Sequence, residues 1–406
     1  MTSATTSSAA ATAAAPSRPQ GDRFIVSVAL GALAVLGAFI AVETAPFLAV
    51  LLALGAVLGI ALYHGAFSFT GGWRRQVVQQ RSSGLRAQLA LFALASVLFA
   101  PFLVADPTLN AAVAPVGTSL LLGAFLFGLG MQLGGGCGSG TMFTVGAGNI
   151  RMVLTLIFFI VGSVVGTMHL PWWLEQPGTD PIHLLEVAGP WGAVAGQLAL
   201  LGLLVAWLAR RERQRHGNVE PALTLRPASG GFWQTLVYGP WPFSWAVAVL
   251  GVGSLAVLLV AEETWGITFA FALWGAKILQ AVGVDMAQWT FWTWDYPALA
   301  LSDSVFVNIT SVTNFGLFFG AMLAAGLAGR YNKASQGRIP PRSLLAAVLG
   351  GLLMGYGARL AFGCNIGALF GGIASASLHG WIWLVAAWIG SYLGVQLRPY
   401  FALAKE

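Results

Sequence analysis

Charge is what this chain most conspicuously lacks. Only 8% of its residues are Asp, Glu, Lys or Arg, while 57% are hydrophobic, against roughly a quarter charged in an ordinary soluble domain. That balance excludes a soluble globular protein and requires an integral membrane protein. Cysteine is nearly as scarce: Cys137 and Cys364 are the only two. A pair so far apart excludes a CxxC-type zinc or iron–sulfur frame, and no metal or cofactor is expected. The short alternating segments of a transmembrane β-barrel are also missing, which leaves helices. Nor does the formal charge of +6 indicate nucleic acid. Its Arg and Lys sit in short connections, as the positive-inside rule requires of cytoplasmic loops, so the lipid bilayer is the expected partner surface.

What is present is a series of apolar runs. About eleven have the length to enter or cross a ~30 Å hydrocarbon core, near 24–42, 47–66, 86–104, 117–134, 152–170, 190–209, 243–261, 264–282, 303–328, 343–361 and 380–397. The fold class expected is therefore an all-α polytopic protein with about 9–11 membrane helices. Basic connections stand at Arg74–Arg86, Arg210–Arg226 and Arg330–Arg342, and acidic or aromatic ones alternate with them. Keeping the last basic loop inside requires 264–302 to enter and leave on one face, as a re-entrant or broken helix. Residues 1–22 are low in complexity and expected to be disordered. The run Phe24–Ile40 is long for a signal-peptide core and lacks a cleavage site, so it reads as a first membrane helix. The expected organisation is the 1–22 tail, a first half over 23–209 with that extra helix, a basic cytoplasmic linker over 210–242, and a second half over 243–406.

The halves repeat. Aligning Cys137 with Cys364 places Gly123, Gly128, Gly130, Leu133, Gly136, Gly140 and Phe143 on Gly350, Gly355, Gly357, Leu360, Gly363, Gly367 and Phe370. After a one-residue slip GSVVG at 162–166 falls on GSYLG at 390–394, and a weaker echo links LYHGA at 62–66 with ALWGA at 272–276. The loop assignment inverts one cysteine phrase relative to the other. Inverted repeats with glycine-interrupted helices are how many secondary transporters build a site at the membrane midplane.

The phrases GGGCGSGT at 134–141 and GARLAFGCNIG at 357–367 carry the chemistry. A helix restarting after each break offers free N–H groups to an anion, and Gly136 and Gly363 supply the break. Ser139, Thr141 and Asn365 add polar side chains, and Arg359 is a charge inside an apolar segment, a functional residue by default. A neutral S–H suits an anion site better than a thiolate, which would repel the substrate. The first phrase is not a phosphate loop: it has no Lys before its Thr and follows an apolar helix rather than a strand. The bland alternatives are close helix packing for the glycines and small-hydrophobe behaviour for each cysteine. Matched positions in a repeat favour function.

In these two phrases, and more weakly in LGIALYHGAFSFTGGWRR at 58–75, the sequence resembles the YeeE/YedE family of sulfur-compound transporters. The resemblance covers the chain from about residue 47 onward. It implies an hourglass-shaped helical protein of the bacterial inner membrane, with re-entrant short helices from both sides and cysteines that pass thiosulfate along a narrow path. It also implies cooperation with a TusA-like cytosolic sulfur-carrier protein. Cys137 and Cys364 match two of the family's functional cysteines. The third falls in a Phe-Cys-Phe phrase that here reads Phe67-Ser68-Phe69, so Ser68 is the departure and leaves a selenium oxyanion open beside a small inorganic sulfur anion. The competing class is an enzyme, a membrane sulfurtransferase forming a cysteine persulfide. Neither phrase places a His or carboxylate beside its thiol, and the leading expectation is a transporter.

Overall fold

A computed structural model of the chain describes residues 21–225, 231–333 and 337–405. The tail expected over 1–22 lies outside the described residues as far as residue 20, as does Arg226 of the basic linker. Among the described residues the chain is helical without β-strands. The helices are α1 (Arg23–Glu43), α2 (Pro46–His64), α3 (Phe69–Gln79), α4 (Ser83–Ala105), α5 (Thr118–Gly134), α6 (Gly138–Gly146), α7 (Ile150–Leu174), α8 (Leu184–Val187) and α9 (Pro190–His216). They continue as α10 (Phe232–Tyr238), α11 (Phe243–Ala261), α12 (Thr268–Ala281), α13 (Asp295–Ser302), α14 (Ile309–Leu327), α15 (Pro341–Leu360), α16 (Gly371–Ala374) and α17 (Leu378–Leu397). Ten helical stretches among the described residues are long and apolar enough to cross a membrane. This is an all-α polytopic membrane protein.

Local chemistry sets the boundaries. Pro46, Pro190 and Pro341 open α2, α9 and α15, where a missing N–H costs nothing. Asn149 and Asn308 cap α7 and α14 by accepting from the amides of Met152 at 3.2 Å and Ser311 at 3.0 Å. Helix α9 continues seven residues beyond the expected 209, through the arginine run to His216. There Glu212 is fully buried, paired with Arg81 at 3.2 Å and Arg86 at 3.3 Å. The first part of the 210–242 linker is thus helix docked on the α3–α4 connection rather than a free loop. Helix α3 is likewise absent from the sequence expectation, which placed Arg74 and Arg75 in a loop.

All described Lys and Arg except Lys277 and Arg359 lie on one face, formed by the ends of α2, α9, α14 and α17 and the starts of α4, α7 and α15. We call it the basic face; the positive-inside rule puts such a face at the cytoplasm. The 264–302 region enters and leaves on the opposite face, as expected. Asn110 N–H donates to the Glu262 carbonyl at 2.7 Å before the segment dips inward, and Trp292 Nε1 donates to Thr167 Oγ1 at 3.2 Å where it returns. Helix α12, 14 residues long, does not reach across.

The two halves interlock through glycine. A Cβ on Gly128 of α5 would lie 2.0 Å from the Ala387 carbonyl oxygen of α17, and one on Gly355 of α15 would lie 2.2 Å from that of Phe159 in α7. Reciprocally, Gly162 meets Leu352 and Gly390 meets Phe125 at 2.4 and 2.0 Å. These are the residues that the repeat register pairs, so α5–α17 and α15–α7 are one crossing made twice. Without side chains between them the backbones approach as in small-xxx-small membrane packing. Replacing Gly355 by Val is expected to cost ~1–3 kcal/mol through overpacking and to lower the melting temperature in detergent. Gly196→Val in α9, where nothing lies within 4 Å of the added Cβ, is expected to leave it unchanged; equal melting of both variants would refute the crossing.

Candidate functional site

The long helices α5 and α15 each stop short of a cysteine. Helix α5 ends at Gly135, whose φ of +99° suits glycine. Cys137 then caps α6, its carbonyl accepting from Thr141 N–H at 2.8 Å. In the second half Gly363 turns the chain with φ +150°, and Cys364 caps a single stretch of π-helix over Asn365–Phe370 that runs on into α16. Each short helix starts at its cysteine and heads back to the face that its long helix had reached. Ala147, just past α6, bonds Asn332 on the basic face, while Ser375, just past α16, accepts from Ala112 N–H on the opposite one at 2.9 Å.

The starts of the two short helices meet. A Cβ on Gly138 would lie 2.8 Å from Cys364 Sγ and 3.4 Å from Thr268 Cγ2, so only glycine after Cys137 admits the second thiol. Both cysteines are free and essentially without exposure. Cys137 Sγ lies 3.5 Å from Ser139 Oγ, and Cys364 Sγ accepts from Ile366 N–H at 3.4 Å. A Cβ on Gly136 would lie 3.0 Å from the backbone of Gly140 and Thr141. Beside the thiols, Thr141 Oγ1 and both amide atoms of Asn365 are buried without a hydrogen-bond partner. Buried polar groups are rarely left so, and each such group invites a ligand or water. The site thus gathers Cys137, Cys364, Gly136, Gly363, Ser139, Thr141 and Asn365 around the two helix starts.

Two expected residues lie elsewhere. Arg359 packs its stem on Gly166 of α7 and holds its guanidinium 5.8 Å from the Phe269 ring and 5.3 Å from that of Phe291; aromatic faces, not thiols, receive its charge. Ser68 caps α3, its Oγ accepting from Gly71 N–H at 3.0 Å, and lines a cavity at the basic face.

Cavities flank the cysteine pair. On the basic face one of about 330 Å³ is lined by Tyr63, His64, Ser68, Phe143 and Arg330; Phe143 belongs to α6, which starts at Cys137. On the opposite face one of about 530 Å³ is lined by Ser119, Trp173, Thr179, Asp180 and Phe362, and Phe362 lies two residues before Cys364. Beyond α11 on that side the half-buried Glu263 has its carboxyl pushed up to about 7 by burial.

Arg151 was not legible in the sequence. From the start of α7 it donates through Nη1 to the Gly134 carbonyl at 2.6 Å, through Nη2 to that of Leu133 at 2.7 Å, and through Nε to Ser343 Oγ at 2.9 Å. It closes the carbonyl end of the first break and ties it to α15. Arg151→Gln is expected to cost on the order of 2 kcal/mol, the worth of charge-assisted hydrogen bonds. In a Cys364→Ser background it should also speed alkylation of Cys137 by a maleimide. Unchanged melting and labelling would remove Arg151 from the support of the break.

Paired breaks of this kind, inverted about the midplane and set between cavities on opposite faces, are the architecture of a membrane transport protein. Comparison with known proteins agrees. Residues 64–393 match the sulphur transport family, and the chain belongs to it. Thiosulfate transporter TsuA of Escherichia coli (strain K12) is 29% identical over 361 residues, 85% of this chain and 94% of the relative. TsuA of Spirochaeta thermophila is 26% identical over 342 residues, 82% and 93% of the two chains. Probable transporter YedE of Salmonella typhimurium is 34% identical over 175 residues, 42% of each chain. The chain is thus a sulfur-transport protein of the membrane, and its relatives are named as transporters rather than enzymes.

Proposed function

We propose that the protein imports thiosulfate, or a closely similar sulfur-containing anion, across a bacterial inner membrane through a passage that narrows at Cys137 and Cys364. The observation that carries this reading is the packing of Cys364 Sγ against Gly138, the residue after Cys137, which brings the second buried thiol to the start of the first short helix. Thiosulfate has a soft terminal sulfur and a hard oxygen end. Neutral S–H groups are weak donors matched to the soft end, while the helix starts and the unpartnered Asn365 amide offer N–H groups to the oxygens. Neither cysteine phrase sets a His or carboxylate beside its thiol to act as base, which argues against the persulfide enzyme, since a nucleophile needs the thiolate. The two relatives that span most of the chain are named as thiosulfate transporters, in keeping with this substrate. On this reading the basic face is cytoplasmic and is where a small sulfur-carrier protein of the TusA type would collect the anion.

Uptake of sulfur-labelled thiosulfate into proteoliposomes tests the proposal. Cys137→Ala and Cys364→Ala are each expected to lower uptake at least tenfold, equivalent to ~1.4 kcal/mol in the rate-limiting barrier, at unchanged melting temperature. Asn365→Leu should lower it as well. Full uptake by both cysteine variants would reduce the thiols to packing groups, and selenite uptake without thiosulfate uptake would reassign the substrate.

A further inference from the structure

The basic-face cavity holds a set of groups that the cysteine pair does not use. Arg330, just beyond α14, is exposed at its rim and forms no ion pair among the described residues. The neighbouring Arg75, by contrast, is neutralised by Glu220 at 2.9 Å. His64, the last residue of α2, is 4% exposed and lines the same cavity with Nε2 unpartnered. Its ring lies 5.6 Å from that of Trp241, and the Nδ1 side abuts Gly239. The connection after α10 therefore fixes the ring and leaves Nε2 free. Tyr63 and Ser68 add hydroxyls. At about 330 Å³ the cavity accommodates a small oxyanion with several waters of ~30 Å³ each.

We propose that Arg330, His64, Tyr63 and Ser68 form a second anion-binding station at the basic-face mouth, which takes the oxygen end of a small tetrahedral sulfur oxyanion. A guanidinium without a carboxylate partner is a standing oxyanion receptor, and the hydroxyls complete it. The buried, unpartnered Nε2 of His64 supplies an N–H to the anion. The other charged or titratable groups lining the cavity are Tyr63, Tyr238 and Arg330, while α6 contributes only Phe143. The station's part in transport rests on the function proposed above; its affinity for an oxyanion does not.

Inorganic sulfate, which has the oxygens but no soft sulfur, is the discriminating probe. Its binding to the full-length protein in detergent, followed by titration calorimetry, is expected to be equal in the native sequence and in the Cys137→Ala/Cys364→Ala double variant. Arg330→Gln should weaken it at least ~10-fold and Arg330→Lys by less, because Lys keeps the charge and loses the fork. His64→Leu should also weaken it, and His64→Gln, which keeps an N–H donor, should weaken it less. Sulfate binding that is absent, indifferent to Arg330→Gln or lost with the cysteines would overturn the station. Loss of thiosulfate uptake with Arg330-dependent sulfate binding intact would sink the transport reading alone.

Discussion

The constraint on which this structure depends is that the bilayer interior offers no water to an unpaired backbone group. A helix broken at depth frees carbonyls on one side of the break and amides on the other, and the chain does this twice. On the carbonyl side the molecule closes the account from within. Arg151 takes Gly134 and Leu133, Arg398 takes Gln132 at 2.6 Å, and Ser119 takes Leu360 at 2.7 Å. The asymmetry follows from the charge distribution. The first break ends toward the basic face, where arginines are at hand, and the second toward the opposite face, where a serine serves. On the amide side the short helices point their starts at one another, and there the polar groups of Thr141 and Asn365 stay open. One end of each break is thus satisfied and the other is not, which is the feature on which the proposed anion site rests.

Bringing the two starts together demands that the long helices come close, and the glycine crossings do that. The contacts of Gly128, Gly355, Gly162 and Gly390 are equivalent under the repeat. So are those of Gly123 and Gly350, where an added Cβ would lie 2.7 Å from the Ala361 amide and 2.2 Å from the Gly134 amide. Glycine thus has two separable roles. In the long helices it shortens interhelical distance, while at Gly135 and Gly363 it supplies backbone angles that other residues resist. The cysteine pair belongs to a third case, Gly138, where the missing side chain makes room for the partner thiol.

Much of this was legible in the sequence. Scarcity of charge gave the membrane class, loop charges gave the sidedness of 264–302, and one register gave the glycines that turn out to pair across the halves. What was not legible depends on distance in space. Nothing near Arg151 announces that it closes a helix end 17 residues earlier, and nothing near Arg359 shows that two aromatic rings await it rather than the thiols. Helix α3 escaped notice because its polar, arginine-bearing turn looks like a loop until Trp73 is seen buried with its Nε1 bonded to Gln88 at 2.9 Å. The extension of α9 is invisible for the same reason, since its arginines become helix only against the buried Glu212.

Ser68 shows how placement changes a functional reading. Taken as a substitute for a third thiol, it weakens the case for a soft-sulfur substrate. In the fold it is a helix cap whose hydroxyl already accepts a backbone hydrogen bond, set beside Arg330 and His64 at the rim of a cavity rather than at the constriction. Oxygen and nitrogen groups there are suited to hard oxyanion atoms, and the two sulfurs at the centre are suited to a soft one. On the function proposed above, a substrate with both ends would meet each chemistry in turn, held by sulfur where the passage is narrow and drawn off by charge where it widens. On that proposed division a hydroxyl at position 68 is compatible with thiosulfate, and specificity would be decided where Cys137, Cys364 and the open amide of Asn365 converge.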